Sequence, residues 1–383
     1  MYLIHAKINT VTQGVIEEGY LKIEDGVIAQ MGPMEELEEQ GEAIDLHGFT
    51  VYPGFIDAHT HLGMWEDGLG FEGDDGNEDT DPTTPHLRAF DAINPLDRCF
   101  EEARQAGVTT VITGPGSANP ISGQMVAMKT RGVRMEDCVI KEPVAMKFAL
   151  GENPKGTYHP KGETPVTRMA TAALIREQLY KARRYMQDLE KAQEDEDCDE
   201  PEYDMKCEAL LPVLRREVKA HIHAHRADDI FTAVRLAKEF DLDYVVVHGT
   251  EGYKIADALR EEGAKVITGP LLCDRSKPEL KELSPQNPGL LTLSGVEVAI
   301  CTDHPVIPIQ YLPLCAGLAV KEGMAYDEAL KAITITPARI CGIDSRVGSI
   351  EVGKDADLVV FAGDPFSVYA KPKLVMIGGS IVM

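Results

Sequence analysis

Apolar residues along the chain follow two patterns. At both ends they come in short alternating runs. Leu3-Ile4 and Val15-Ile16 lead into Gly19-Tyr-Leu-Lys-Ile-Glu-Asp-Gly-Val-Ile, where Glu24-Asp-Gly26 is a hairpin turn between alternating segments. A short helix is expected over residues 33–40. From Val347 the alternation returns. It predicts two strands around the Gly353-Lys-Asp turn and a hairpin at Gly378-Gly379. Two sets of short strands at opposite ends of the chain predict one small β-sandwich built from residues 1–50 and 347–383.

Between them, over residues 51–346, short apolar runs alternate with longer helical stretches, the signature of βα units and a parallel sheet. Seven runs read clearly as strands. They start at Thr50, Val108, Val144, Ala220, Tyr244, Lys265 and Val296. An eighth is either Gln124–Lys129, which also reads as a side hairpin, or an irregular strand within 152–218. The length of 383 residues suits a barrel of about 250 residues plus a smaller module. The fold expected is α/β, a (β/α)8 TIM barrel with the β-sandwich appended. Residues 165–217 read as charged helix, broken by a solvated acidic turn at Glu194–Glu200 and Pro201.

A net charge of -25 argues against nucleic acid and anionic membranes as partners. The eight cysteines form no C-x-x-C pair, so they are expected to be reduced, mostly buried residues of a cytoplasmic protein. The first residues lack a basic start followed by a long apolar run, and no run of 18 apolar residues occurs, so neither a signal peptide nor a membrane span is expected.

The chemistry gathers at strand ends. Asp57-Ala-His59-Thr-His61 closes the apolar run Val51-Tyr-Pro-Gly-Phe-Ile. Residues i and i+2 of a strand point the same way, so His59 and His61 project two imidazoles from the end where barrel active sites are built. Such a pair suits zinc, iron or manganese. His221, His223 and His225 alternate along a second strand, and one strand cannot bring all three to one metal. His223 is taken as the ligand and His225 as a substrate-binding residue. His248 ends Tyr244-Val-Val-Val, and Asp303 ends Val296-Glu-Val-Ala-Ile-Cys-Thr. A carboxylate at that end can bind metal and accept a proton from water. One more anionic ligand is wanted from mid-chain. Glu152 is favoured, and Lys147 would serve if carboxylated on its amine.

The segment after His61 carries eight acids between Glu66 and Asp81 and reads as a lid that favours a cationic or neutral substrate. Trp65 and Phe71 are candidates to pack it down. His86 and Arg88 are candidates to pair a substrate carboxylate.

Together these residues resemble the amidohydrolase superfamily. The resemblance rests on Tyr52-Pro-Gly-Phe-Ile-Asp-Ala-His-Thr-His, Gly107-Val-Thr-Thr, Thr302-Asp303, Thr334-Ile-Thr-Pro-Ala-Arg339 and Gly348-Ser-Ile-Glu-Val-Gly-Lys-Asp-Ala-Asp-Leu-Val-Val. It implies metal ligands at His59, His61, His223, His248 and Asp303, with Asp303 catalytic. Gly151-Glu152-Asn-Pro is similar to the glutamate region of N-acetylglucosamine-6-phosphate deacetylases. The whole is similar to imidazolonepropionase-related amidohydrolases. The implied activity is hydrolysis of an amide or cyclic-amide C–N bond in a small molecule, with one or two divalent ions, zinc foremost. A deaminase or deacetylase on the same site and a non-catalytic scaffold are the alternatives. Barrels of this type commonly form homo-oligomers, and no nucleic-acid or membrane partner is expected.

Overall fold

A computed structural model describes residues 1–38, 41–195 and 197–383. The chain starts with strands β1 (Tyr2–Asn9), β2 (Val15–Glu24), β3 (Val27–Pro33), β4 (Ala43–Asp45) and β5 (Thr50–Pro53). It continues through β6 (Phe55–Thr60), β7 (Val108–Thr113), β8 (Ile121–Lys129), β9 (Val139–Ala149), β10 (Lys219–Ala224), β11 (Tyr244–His248), β12 (Lys265–Thr268) and β13 (Glu297–Ile300). It ends with β14 (Leu358–Phe361), β15 (Leu374–Ile377) and β16 (Ser380–Ile381).

Strands from the two ends share one sheet, in the order β16-β15-β14-β5-β1-β2-β3 with β4 paired to β1. Its alternation buries Leu3, Ile8, Leu21, Ile28, Leu358 and Met376 in a cluster of their own. The turn expected at Glu24-Asp-Gly26 joins β2 to β3, and Gly378-Gly379 joins β15 to β16. Two local expectations fail. The helix over 33–40 is a single 3-10 turn, Met34–Glu36, and positions 39 and 40 lie outside the described residues. Of the two strands around Gly353-Lys-Asp only β14 forms, because the Asp355 to Asp357 backbone closes a tight turn instead.

The second sheet runs β6 to β13 in sequence order and curls into a nearly closed, TIM-barrel-like α/β arrangement. Helices Arg98–Gln105, Arg168–Glu194 and Ala227–Phe240 occupy connections between its strands. Strands such as β11, with Val245, Val246 and Val247 fully buried, show the continuous apolar run of a strand covered on both faces. Gln124–Lys129 does lie in the eighth strand, but it runs antiparallel to both β7 and β9. Only residues 114–120 separate β7 from β8, too few for the crossover of a dozen or more residues that a parallel return needs. One strand therefore departs from strict (β/α)8 order.

The seam between β13 and β6 is closed at its upper end by single bonds. Asp57, fully buried, accepts the Thr302 backbone N–H at 3.1 Å and its hydroxyl at 2.6 Å. Asp303 N–H donates to the His59 carbonyl at 3.2 Å, and His61 N–H donates to the His304 carbonyl at 2.9 Å.

The chain passes from one sheet to the other at Gly54, where a Cβ would lie 2.1 Å from Thr109 Oγ1. A second tie is ionic. Lys129, at the end of β8, pairs with Asp357 and with Asp355 at 2.8 Å, just before β14. Asp357 is fully enclosed, and burial raises its carboxyl pKa against the pull of the Lys129 charge. Removing one member of a buried pair leaves an uncompensated charge. Lys129→Met is therefore expected to cost about 3–5 kcal/mol in denaturant unfolding, with much of the loss recovered in Lys129→Met/Asp357→Asn. A change within error of wild type would show that the pair does not hold the sheets together.

Candidate metal centre

The upper ends of β6, β10, β11 and β13 bring five histidines and one aspartate together. His59, His61 and Asp303 form one group and His223, His225 and His248 a second, with the donor atoms of each group within 4.8 Å of one another. The alternation of β6, carried one residue past its end, places His59 and His61 on the same inner side. His59 Nε2 lies 3.5 Å and His61 Nε2 3.3 Å from Asp303 Oδ1. His248 and Asp303 both sit in the left-handed backbone region, at φ 74° and 56°. Such conformations cost of order 1–3 kcal/mol for non-glycine residues and gather at functional sites.

The rear of the imidazoles is held. His61 Nδ1 bonds the Gly114 carbonyl at 2.7 Å and His248 Nδ1 the Gly269 carbonyl at 2.8 Å. His223 Nδ1 meets Ser117 Oγ at 2.9 Å, and His225 Nδ1 meets Thr250 Oγ1 at 2.7 Å. A carbonyl only accepts, so His61 and His248 carry their proton on Nδ1 and turn a bare lone pair inward at Nε2 when neutral. Burial lowers the His248 pKa to about 4 and holds His59, His223 and His225 well below the usual histidine range. Burial works to raise the Asp303 pKa, yet the neighbouring His248, His61 and Lys147 outweigh it and hold it at about 2. With its proton on Nδ1, the His61 ring in its neutral form turns a lone pair toward a carboxylate oxygen at 3.3 Å in a buried site. That arrangement is repulsive without a cation between the two. Nitrogen and oxygen donors so disposed, each backed by a second hydrogen bond, fit a divalent metal.

Not every expected site residue joins these groups. Glu152 does not. Gly151, at φ 82°, turns the chain after β9, so Glu152 opens the helix Glu152–Tyr158 on the cavity wall. Its carboxylate accepts the Glu279 backbone N–H at 3.3 Å. Lys147 lies five residues earlier on β9, fully buried, with Nζ 2.9 Å from His59 Nε2. Burial lowers its pKa to about 8, while the Asp303 charge works the other way. His221 lies deeper still, with no partner on either ring nitrogen among the described residues. His225, expected at the substrate, stands behind the wall of the cavity beside His223 and His248. Arg88 is drawn away to Glu142 at 2.9 Å, and neither it nor His86 lines the cavity.

Two residues not singled out from the sequence also belong here. Glu279, 1% exposed, places Oε1 3.6 Å from both His223 Nε2 and His225 Nε2. Lys277 pairs with Glu279 at 2.7 Å and lines the cavity. Both come from the segment after β12, where no periodic pattern marks them.

The cavity above the two groups has a volume of about 680 Å³, and His61, His223, His248 and Asp303 form its floor. The acidic segment covers one side. Trp65 stands edge-on to His61, with ring centroids 4.8 Å apart, and Gly76 leaves room for its ring. Lys161 and Lys206 hold Asp79 and Asp81 at 2.9 and 2.5 Å. Phe71, the other candidate to pack the segment down, is 94% exposed.

The amidohydrolase family model matches residues 50–382, and the chain belongs to that family. It is 29% identical to the amidohydrolase tasK of Hapsidospora irregularis over 94% of this chain, and spans only 39% of that relative's length. It is 28% identical to the imidazolonepropionase of Maricaulis maris, over 91% of this chain and 88% of the relative. An amidohydrolase structure from Thermotoga maritima superposes with a TM-score of 0.96 at 42% identity, covering 100% of this chain and 99% of that one. A prolidase solved with N-methylphosphonate-L-proline shares the fold at 18% identity and a TM-score of 0.62.

Trp65 is the sole tryptophan, so its fluorescence reports on this centre. Loading with Co2+ is expected to quench it strongly. Gly76→Val, which puts side-chain atoms where the indole now lies, should weaken the quenching and shift emission to the red. Emission indifferent to Co2+ would separate Trp65 from the centre.

Proposed function

We propose that this chain is a cytoplasmic hydrolase of amide or cyclic-amide C–N bonds in a small molecule, dependent on a divalent metal, zinc foremost, with iron and manganese as alternatives. The observation that carries the reading is the lone pair of His61 Nε2 set against Asp303 Oδ1 at the cavity floor. His59, His61 and Asp303 would hold one ion, and His223 and His248 would hold or complete a second. The relatives named imidazolonepropionase, aligned over most of their length, support a cyclic amide as the substrate class. In this reading residues 1–50 and 347–383 act as a β-sandwich that carries the barrel of 51–346, and the protein works as a homo-oligomer.

A bound divalent metal supplies Lewis acidity, polarising the substrate carbonyl and bringing the pKa of water down toward 7. Asp303, ionised at neutral pH and facing the cavity, takes the proton from the attacking water. As the new C–O bond forms and the C–N bond breaks, it returns that proton to the leaving nitrogen. Lys147 replaces Glu152 as the intermediate ligand in this reading. Its buried amine is partly neutral near pH 8 and can add CO2, releasing one proton and becoming a carbamate. That change turns a cation beside His59 into an anionic oxygen donor. Trp65 and the acidic segment shield this floor from solvent and favour substrates that are neutral or cationic where they meet the lid.

The test is metal quantification followed by a screen of lactams, N-acyl amino acids and dipeptides. Asp303→Asn should lower turnover by about 10²–10⁴-fold, and chelation should abolish it. A native protein that carries no metal, with turnover unchanged in Asp303→Asn, ends the proposal. Release of ammonia without opening of an amide would move the activity to deamination.

A further inference from the structure

A second large cavity lies at the opposite end of the barrel from the histidines. Because β8 runs antiparallel to its neighbours, its last residues sit beside the early residues of β7 and β9, with Lys129 opposite Thr110 and Met128 opposite Val139. The cavity there has a volume of about 840 Å³ and lies where the barrel meets the shared sheet of the chain ends. In a chain with an excess of acids, four cations reach it. Arg104 comes from the end of helix Arg98–Gln105, Lys129 and Arg131 from the end of β8 and the turn after it, and Arg346 from the segment between helix Ile335–Cys341 and β14. Lys129 and Arg346 both pair with Asp355 at 2.8 Å. Asp137, another lining acid, is held by Arg134 at 3.3 Å. Arg104 and Arg131 pair with no carboxylate among the described residues. Each donates one N–H to a backbone carbonyl, Arg104 to Thr130 and Arg131 to Ile377 at 3.1 Å. Burial works against the Arg104 charge and lowers its pKa, and the pull of Glu101 does not cancel the effect. The remaining lining acid, Asp25, is exposed.

We propose that this cavity is a second ligand site, for a phosphate group carried on a small molecule, with Arg104 and Arg131 as its anchors. A guanidinium presents its donors in a planar fork that matches phosphate oxygens two at a time. Both arginines keep donors free after their carbonyl bonds, and a phosphate dianion neutralises the charge that no carboxylate answers. The volume is more than inorganic phosphate fills and falls in the range of small-molecule sites, about 300–1,000 Å³. Val27, Val133, Val139 and Val382 supply apolar wall for the rest of such a molecule. The space before Gly378 is open, since a Cβ there would meet nothing within 4 Å. The two arginines belong to the barrel, whereas Val27, Gly378 and Val382 belong to the sheet of the chain ends or its turns. A ligand held there bridges the two parts and stabilises the folded chain by mass action. The site needs no metal and does not rest on the hydrolase reading.

The test is calorimetry on the full chain, as purified and after chelation of metal, with phenyl phosphate, inorganic phosphate and phenylmalonate as probes at one ionic strength. Phenyl phosphate is expected to bind once per chain, to raise the melting temperature, and to bind more tightly than the other two. Chelation should leave its affinity unchanged, and the emission of Trp65, beside the metal centre, should not respond. Arg104→Met and Arg131→Gln should each weaken binding by about 10–100-fold, with far-UV circular dichroism as a check on folding. Arg131 is exposed, so its variant tests the site even where Arg104→Met fails to fold. Wild-type affinity in folded Arg131→Gln would overturn the proposal, and so would the absence of saturable binding. Binding that disappears on chelation would place the anion at the metal centre and overturn it too. Inorganic phosphate held as tightly as phenyl phosphate would overturn the small-molecule part of the assignment, and tighter binding of phenylmalonate the phosphate part.

Discussion

The site depends on acceptors that face one another without a donor between them. Backbone carbonyls hold the outer nitrogens of His61 and His248, so their inner nitrogens are acceptors in the neutral ring. Asp303 adds a carboxylate to the same space. In water these groups would rotate apart. Here each is clamped from behind, and burial removes protonation of His248 as a remedy at neutral pH. Positive charge must come from outside the side chains of the floor. A divalent ion between the two groups would supply it.

The barrel architecture serves that constraint. Residues on β6, β10 and β11 hold their imidazoles on rigid strands, and the Asp57–Thr302 clasp carries Asp303 across the seam to meet them. The seam is thus closed beside the chemistry and not along a full ladder of backbone bonds. The left-handed backbone at His248 and Asp303 fits the same account. These two residues turn sharply at the strand ends to aim inward, and the surrounding structure holds them there.

Much of this was legible in the sequence. The alternation rule found His59, His61 and His223, because a period of two survives any detail of packing. The ends of apolar runs found His248 and Asp303. Glu152 was misread because distance past a strand was taken as direction, whereas the positive φ of Gly151 swings the side chain to the wall. His225 was assigned to substrate because one strand cannot bring His221, His223 and His225 all to one metal. The strand ends at Ala224 and the next residue still faces inward. Glu279 and Lys277 sit in an irregular segment, where only tertiary packing decides what a side chain faces. The segment of β8 was one of two candidates for the eighth strand, and its direction follows from the shortness of residues 114–120.

The shared sheet of the two chain ends also bears on how the polypeptide is made. β5 pairs with β14, so Tyr52 waits for Val359 while the whole barrel is synthesised between them. On the ribosome, one edge of the N-terminal strands stays open through that interval, and such edges are templates for wrong pairing. The last strands to emerge are the ones that cover it. The yield of folded protein during synthesis therefore hangs on the arrival of residues 358–381, far from any residue that touches substrate.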